Sequence, residues 1–134
     1  RDSIPLGRGI ARLETTFPNG KPARSMTYRN GRLDGDFIEY HTNGRVMDRR
    51  TYKAGDEDGV VTEYHENGQV METTPYEDGL IHGERVIHWD NGQVRERMTY
   101  VHGRLHGPWT LYDRSGKRMA TYLIRNDDVV EIGK

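Results

Sequence analysis

The sequence contains no cysteine, no long hydrophobic run and no excess of charge of either sign. Without cysteine, disulfides and thiolate metal sites are excluded. No apolar stretch approaches the ~20 residues that a membrane-spanning helix needs. The 20 basic and 21 acidic residues give a net charge of −1, whereas nucleic-acid-binding proteins carry clustered Lys and Arg. A nucleic-acid partner is therefore not expected.

Hydrophobic residues are also scarce, at 33% of the chain against a usual ~45–50%. Taken alone, this composition and a mean hydropathy of −0.95 indicate disorder. The chain nevertheless carries eight Tyr, two Trp and two Phe, and disordered chains are poor in aromatic residues. The sequence therefore predicts an ordered domain with a thin core.

A period of 24 residues organises most of the chain. An Asn–Gly pair stands at 19–20, 43–44, 67–68 and 91–92, and Ser115–Gly116 follows in the same register. Glycine also recurs at 31, 55, 79 and 103, and tyrosine at 40, 64 and 112. The columns that we interpret as the structural lattice are Gly35, Gly59, Gly83 and Gly107, and Tyr28, Tyr52, Tyr76 and Tyr100.

This lattice predicts an all-β fold. Asn–Gly between two short β-prone runs favours a hairpin with a type I′ turn, and Gly-x-x-x-Gly, as in "GRLDG", predicts the second connection. No segment shows a helical apolar period. We expect one antiparallel sheet of tandem hairpins, an elongated single-layer ribbon. The predicted domain, 1–134, comprises an N-terminal cap at 1–27, repeats at 28–51, 52–75, 76–99 and 100–123, and a C-terminal cap or tail at 124–134.

Two hairpin registers remain open. A two-residue Asn–Gly loop places Gly35 opposite Tyr52, so that the ring covers the glycine backbone. The same register places Glu39 against Asp48, and directly opposed like charges are unfavourable. A three-residue loop with a bulge would place Tyr40 opposite the acid instead.

The lattice resembles the MORN repeat family, and more closely its bacterial variant seen in YwqK-type antitoxin proteins. The residues that carry the resemblance are "GLIHGERVIHWDNGQVRERMTY" at 79–100 and "GRLHGPWTLYDRSGKRMATY" at 103–122, with weaker copies at 31–52 and 55–76. The resemblance implies a sheet of hairpins that works by binding, without a catalytic centre or cofactor. It also implies roles as antitoxins, immunity partners or envelope lipoproteins in bacteria, and phospholipid contact in eukaryotes.

Histidines and carboxylates also recur, but neither pattern predicts an active site. His82 and His106 occupy equivalent positions about 10 Å apart by strand spacing, whereas zinc binds imidazole nitrogens at ~2.0–2.1 Å from one ion. A role in the turn is favoured for both rings, with partner contact as the second interpretation. The acidic column of Asp48, Glu72 and Glu96 is typical of a solvated face. We expect no catalytic, cofactor or metal site.

Trp89 and Trp109 lie outside the lattice columns. Tryptophan is enriched among binding hot spots, so an irregular tryptophan is a better interface candidate than a lattice tyrosine. We therefore predict partner contact for Trp89 and Trp109, together with His82 and His106.

Two functions are compatible with this sequence. The favoured hypothesis is a non-catalytic, protein-binding scaffold, an antitoxin or immunity-type protein that occludes a partner such as a toxin. The alternative is an envelope-associated structural or lipid-contacting lipoprotein, tethered just before Arg1. The sequence starts at Arg1 and not at Met, which either a removed leader or a trimmed chain would explain. The bacterial cell envelope or periplasm is slightly favoured over the cytoplasm. Edge strands could also pair two chains into a homodimer.

Overall fold

The structure, a computed structural model, describes residues 9–133. It has thirteen strands: β1 Ile10–Thr16, β2 Pro22–Arg29, β3 Arg32–Tyr40, β4 Val46–Lys53, β5 Asp56–Glu57, β6 Gly59–Tyr64, β7 Val70–Glu77, β8 Leu80–Ile81, β9 Gly83–His88, β10 Val94–Val101, β11 Arg104–Tyr112, β12 Arg118–Arg125 and β13 Asp128–Gly133.

These strands form one open antiparallel sheet of consecutive hairpins, which confirms the predicted fold class. The long strands pair in chain order, and the short strands β5 and β8 pair with β4 and β7. Strands β5 and β6 together, like β8 and β9 together, correspond to the unbroken β3 of the first hairpin. No helix within residues 9–133 is long and apolar enough to cross a membrane.

The Asn–Gly pairs at 19–20, 43–44, 67–68 and 91–92 do not form the type I′ turns that the sequence predicts. A type I′ turn needs positive φ at both central residues, and Asn67 does not have it although Gly68 does. Positive φ at two consecutive residues occurs instead at the other end of the strands, at Asn30–Gly31, Ala54–Gly55, Asp78–Gly79, His102–Gly103 and Asn126–Asp127. The prediction of type I′ turns at the repeated Asn–Gly pairs was therefore wrong.

The repeated Asn–Gly pairs form longer loops. In the second copy, Gly68 N donates to His65 C=O at 2.9 Å, and His65 N donates to Gln69 C=O at 2.8 Å. This is the pattern of a turn followed by a glycine bulge, with three residues in the loop. The bulge glycine takes the positive φ, of 92° at Gly68, so its asparagine neighbour is free to use its side chain elsewhere.

The asparagine side chains connect successive repeats. Asn67 Oδ1 accepts from Gln69 N at 2.9 Å, and Asn67 Nδ2 donates to the carbonyl of Asp90, in the next repeat, at 2.8 Å. The same donation to the next repeat joins Asn19 to Thr42 and Asn91 to Arg114. Asparagine recurs here because its amide both closes its own loop and satisfies a carbonyl of the neighbouring loop.

Besides the glycine bulge in the loop, a second bulge in the strand after the loop decides between the two registers. Tyr40 pairs with Val46, but one step further Glu39 pairs with Asp48, so the chain gains one residue at Met47. This bulge compensates for the three-residue loop. The like charges therefore do face each other, and the predicted glycine–tyrosine pairs form: Gly35 with Tyr52, Gly59 with Tyr76, and Gly83 with Tyr100.

The core is thin, as the composition predicts. The buried apolar side chains are Met26, Ile38, Val61, Met98 and Ile124, and in the described part of the chain no large side chain is less than 2% exposed. The fourth lattice glycine, Gly107, faces Ile124 where the other copies place a tyrosine. A sheet with so little buried apolar area depends on contacts between neighbouring repeats.

We expect Gly83→Ala to destabilise the sheet more than Gly59→Ala. Both glycines have positive φ, of 121° and 95°, which costs other residues about 1–3 kcal/mol. A Cβ at Gly59 would meet nothing within 4 Å, whereas at Gly83 it would lie 3.1 Å from Pro75 Cγ. Urea denaturation measures the difference, with Val60→Thr on the surface as control. Wild-type stability in both alanine variants would contradict the proposed strain.

We also expect Asn67→Asp to cost about 1 kcal/mol of unfolding free energy, because it replaces the donor to Asp90 C=O with an acceptor. Asn43→Asp is the matched control. It adds the same charge at the equivalent position, and within residues 9–133 the amide nitrogen of Asn43 donates to no neighbouring loop. Equal melting temperatures for the two variants would refute a stabilising role for the asparagine bonds.

Candidate binding groove at the turn edge

Two adjoining clefts of about 550 and 630 Å³ lie beside the Asn–Gly loops. They share His41, Met47 and Glu66, and we call them together the turn groove. The first cleft is completed by Glu63, Tyr64, His65, Asn67, Met71 and Asp90. The second is completed by Thr15, Phe17, Ala23, Arg24, Glu39, Tyr40 and Thr42.

The 24-residue period places equivalent side chains of successive repeats next to one another along the groove. His41 and His65 are the first residues of their loops, and the Nε2 atom of each lies near a carbonyl of the next repeat, 3.5 Å from Tyr64 O and 3.2 Å from His88 O. Met47 and Met71 stand at the bulges. The loops and the bulges therefore position the walls of the groove, and without the bulge the methionines would occupy regular strand positions.

A row of carboxylates crosses the sheet beside the groove. Successive strands place them directly opposite one another, in the order Glu39, Asp48, Glu63 and Glu72. Directly opposed side chains have Cβ atoms ~4.5–5.5 Å apart, and like charges at that distance are destabilising. The row therefore needs compensating cations.

Arginines compensate three of the four carboxylates: Arg24 pairs with Glu39 at 3.0 Å, Arg50 pairs with Asp48, and Arg85 Nε donates to Glu72 Oε2 at 2.7 Å. Arg50 also reaches Glu57 at 2.9 Å. Within residues 9–133, Glu63 forms no ion pair. It is the member of the row without an ion pair, although the charges of Arg50 and Arg85 lie near enough to lower its pKa in part.

Partial burial raises the pKa of Glu63, and the charges of Glu72 and Asp48 raise it further. A half-buried carboxylate with a raised pKa in a cleft is a common property of functional sites. No group of three His, Asp or Glu side chains in the described residues is arranged to hold a metal ion.

Three residues that line the groove are replaced in the third repeat. Ile87 replaces the glutamate, Trp89 the histidine and Arg95 the methionine. The Arg95 guanidinium lies 5.4 Å from the Trp89 ring and pairs with Glu96 at 3.3 Å. A second guanidinium, that of Arg114, lies 5.1 Å from the same ring. Cation–π contacts of this kind stabilise the ring in place.

The four predicted partner contacts do not converge on one surface. Trp89 begins the loop that follows the groove, whereas Trp109 lies within β11, opposite Tyr122. The Trp109 indole donates to Glu96 Oε1 at 3.0 Å, and its ring lies 5.5 Å from the Tyr122 ring. Both indoles are half-buried and make contacts within the sheet. Their contact with a partner stays a prediction.

His82 and His106 lie at the opposite edge, near the type I′ turns. The Nδ1 atom of His82 accepts from His102 N at 3.1 Å, and that of His106 accepts from Asn126 N at 3.4 Å. Asp34 fills the same role for Ala54 N at 2.9 Å. This position in the repeat therefore holds an acceptor for the next turn, which is the turn role favoured from the sequence. Partner contact by these rings stays a prediction.

Four groove residues were not predicted from the sequence: Met47, Met71, Glu63 and Glu66. A signal was present, because methionine follows the recurring valine in two consecutive repeats, at Val46–Met47 and Val70–Met71. This repetition did not reveal the groove, because a bulge changes which side chains share a face. The sequence left both the loop length and the bulge open.

Glu63→Gln should stabilise the protein at neutral pH. The pKa of Glu63 is raised on folding, so ionised Glu63 opposes folding above the usual glutamate pKa, and the cost vanishes in acid, where both states hold the proton. The expected gain is up to about 1 kcal/mol at pH 7, and none near pH 3.

Thermal unfolding at the two pH values measures this effect. Glu77→Gln, which removes an exposed charge at the far end of β7, is the control and should have little effect at either pH. An equal gain from Glu63→Gln at both pH values would rule out an electrostatic cause.

Comparisons with known proteins agree with the repeat seen in the sheet. Three stretches, 33–54, 57–78 and 81–102, match the family model described as MORN repeat variant. No curated protein matches the chain. The matches follow one another with the 24-residue period and cover the hairpins from β3 to β10. Residues 33–102 therefore contain three consecutive MORN repeats of the variant type.

Proposed function

We propose that this protein is a non-catalytic scaffold that binds one protein partner along the turn groove. The observation that carries this proposal is the groove itself, two adjoining clefts built by successive repeats. Its lining includes side chains that the sheet does not need, since Met47 is 37% exposed and Glu66 is also exposed. Exposed methionines recur on adaptable binding surfaces, because the side chain is flexible and polarisable.

The finer form of the proposal is an antitoxin or immunity-type role. A rigid sheet that covers a partner's working surface inhibits it by occlusion, and no chemistry is required of the scaffold. Repeat sheets suit this task because the glycine and asparagine positions maintain the shape while groove residues differ between repeats. The envelope-associated alternative has weaker support, since Glu63 and Glu66 would repel an anionic lipid surface.

The test is affinity capture from cells that naturally express the protein, with mass spectrometry of what is retained. We expect one stoichiometric protein partner with the wild type, and a loss of at least about fivefold with the double variant Met47→Gln, Met71→Gln. The matched control is Met119→Gln, which changes a 60% exposed methionine outside the groove. Retention that is equal in all three proteins, or lipid without a stoichiometric protein, would overturn the proposal.

A further inference from the structure

Some carboxylates around the turn groove have an arginine partner, and others do not. Glu39 is neutralised by Arg24 and Asp90 by Arg114. Glu63 and Glu66 form no ion pair within residues 9–133, and Arg45 reaches the backbone oxygen of Glu66, at 3.3 Å, but not its carboxylate. An occupant that covered these two carboxylates without supplying a cation would bury unpaired charge, which is costly.

The rest of the lining combines polar side chains, such as Asn67 and Thr42, with apolar and aromatic ones. Met47 lies in both clefts, and Met71 and Tyr64 lie in the first. Lysine and arginine combine a long aliphatic stem with a charged head, so that they bury the stem against apolar surface while the head reaches an anion. A surface that places methionines beside free carboxylates is therefore complementary to these two side chains.

In the third repeat, an arginine of the chain itself lies beside an aromatic ring and a carboxylate. At the position of Met47 and Met71 stands Arg95, whose guanidinium lies over Trp89, at 5.4 Å, and pairs with Glu96. In the third repeat the chain thus provides its own cation beside a ring and a carboxylate. In the first two repeats the places of Arg95 and Trp89 carry a methionine and a histidine, and the carboxylates at the place of Glu96, Asp48 and Glu72, pair with Arg50 and Arg85. Glu63, at the place of Ile87, has no such ion pair within residues 9–133.

The spacing of the clefts limits the conformation of an occupant. Equivalent positions in adjacent repeats are two strands apart, which is roughly 10 Å. A polyproline II segment rises ~3.1 Å per residue with three residues per turn, so side chains three residues apart project to the same side and lie roughly 9 Å apart. Glu63 lines the first cleft and Glu66 lines both. Basic residues at positions i and i+3 of such a segment could therefore each enter one cleft, one meeting Glu63 in the first and the other meeting Glu66 in the second.

We infer that the turn groove binds an extended segment of the partner protein with lysine or arginine at every third position, the cations pairing with Glu63 and Glu66 and the stems packing on Met47 and Met71. This inference rests on the proposed function, because it names the chemistry of the partner that binds the same groove. Glu63 then has a reason to occupy an electrostatically unfavourable place in the sheet, since the partner supplies the cation that the chain lacks.

The direct test uses the purified chain and a short fluorescent peptide with lysine at every third position and proline and alanine between. A control peptide carries glutamate in place of lysine. Fluorescence anisotropy should show binding of the lysine peptide alone. Glu63→Gln and Glu66→Gln should each weaken it about threefold to fivefold, and Met47→Gln should weaken it with no change in charge. Glu77→Gln, with the same loss of charge at the other edge, should leave affinity unchanged.

Two results would overturn the inference: equal affinity for the two peptides, or equal weakening by Glu77→Gln and Glu63→Gln. Partner capture separates this failure from failure of the proposed function. If the partner is lost from the Met47→Gln, Met71→Gln variant but retained by Glu63→Gln and Glu66→Gln, the groove binds a partner that is not basic. If neither set of changes reduces capture, both proposals fail together.

Discussion

Hydrogen bonding between the loops of successive repeats is the interaction on which this sheet depends. A single layer has no second sheet to cover it, so each loop has to satisfy its polar groups along the edge. At one edge, the amide of Asn67 donates to the loop of the next repeat. At the other, Gly79 N donates to Glu57 C=O at 3.0 Å and Gly103 N to Ile81 C=O at 2.7 Å. The loops at both ends of the strands are thereby joined from repeat to repeat, and the strands between them stay in register.

The same shortage of apolar residues explains the charged character of the sheet. With only a few buried apolar side chains, stability comes from cross-strand pairs, which contribute roughly 0.2–1 kcal/mol each. Arg50 joins two carboxylates on one face, and Arg85 pairs with Glu72 and lies 3.4 Å from the Tyr100 hydroxyl. Three of the lattice tyrosines pair with lattice glycines across the strands, so cross-strand and ionic pairs together replace a conventional core.

The groove arises from small differences between repeats that share one backbone. Methionine at the bulge lines a cleft, whereas Arg95 at the same place lies over the Trp89 ring. The backbone lattice tolerates both, because the glycines and asparagines that set its geometry are separate from the side chains that line the groove. A scaffold of this kind can vary its binding surface without altering its fold.

The sequence by itself determined the fold class and the repeat, because a strict period and turn residues are local signals. It gave the pairing of lattice glycines with tyrosines as one of two registers, and the structure decided between them. It also indicated that His82 and His106 belong to turns. Only the tertiary structure decided which turns are type I′, where the bulge at Met47 lies, and which carboxylate lacks a cation. Those properties depend on how one strand registers against the next, and a shift of one residue moves every side chain to the other face. The groove follows from that register, and for this reason its residues could not be identified from spacing alone.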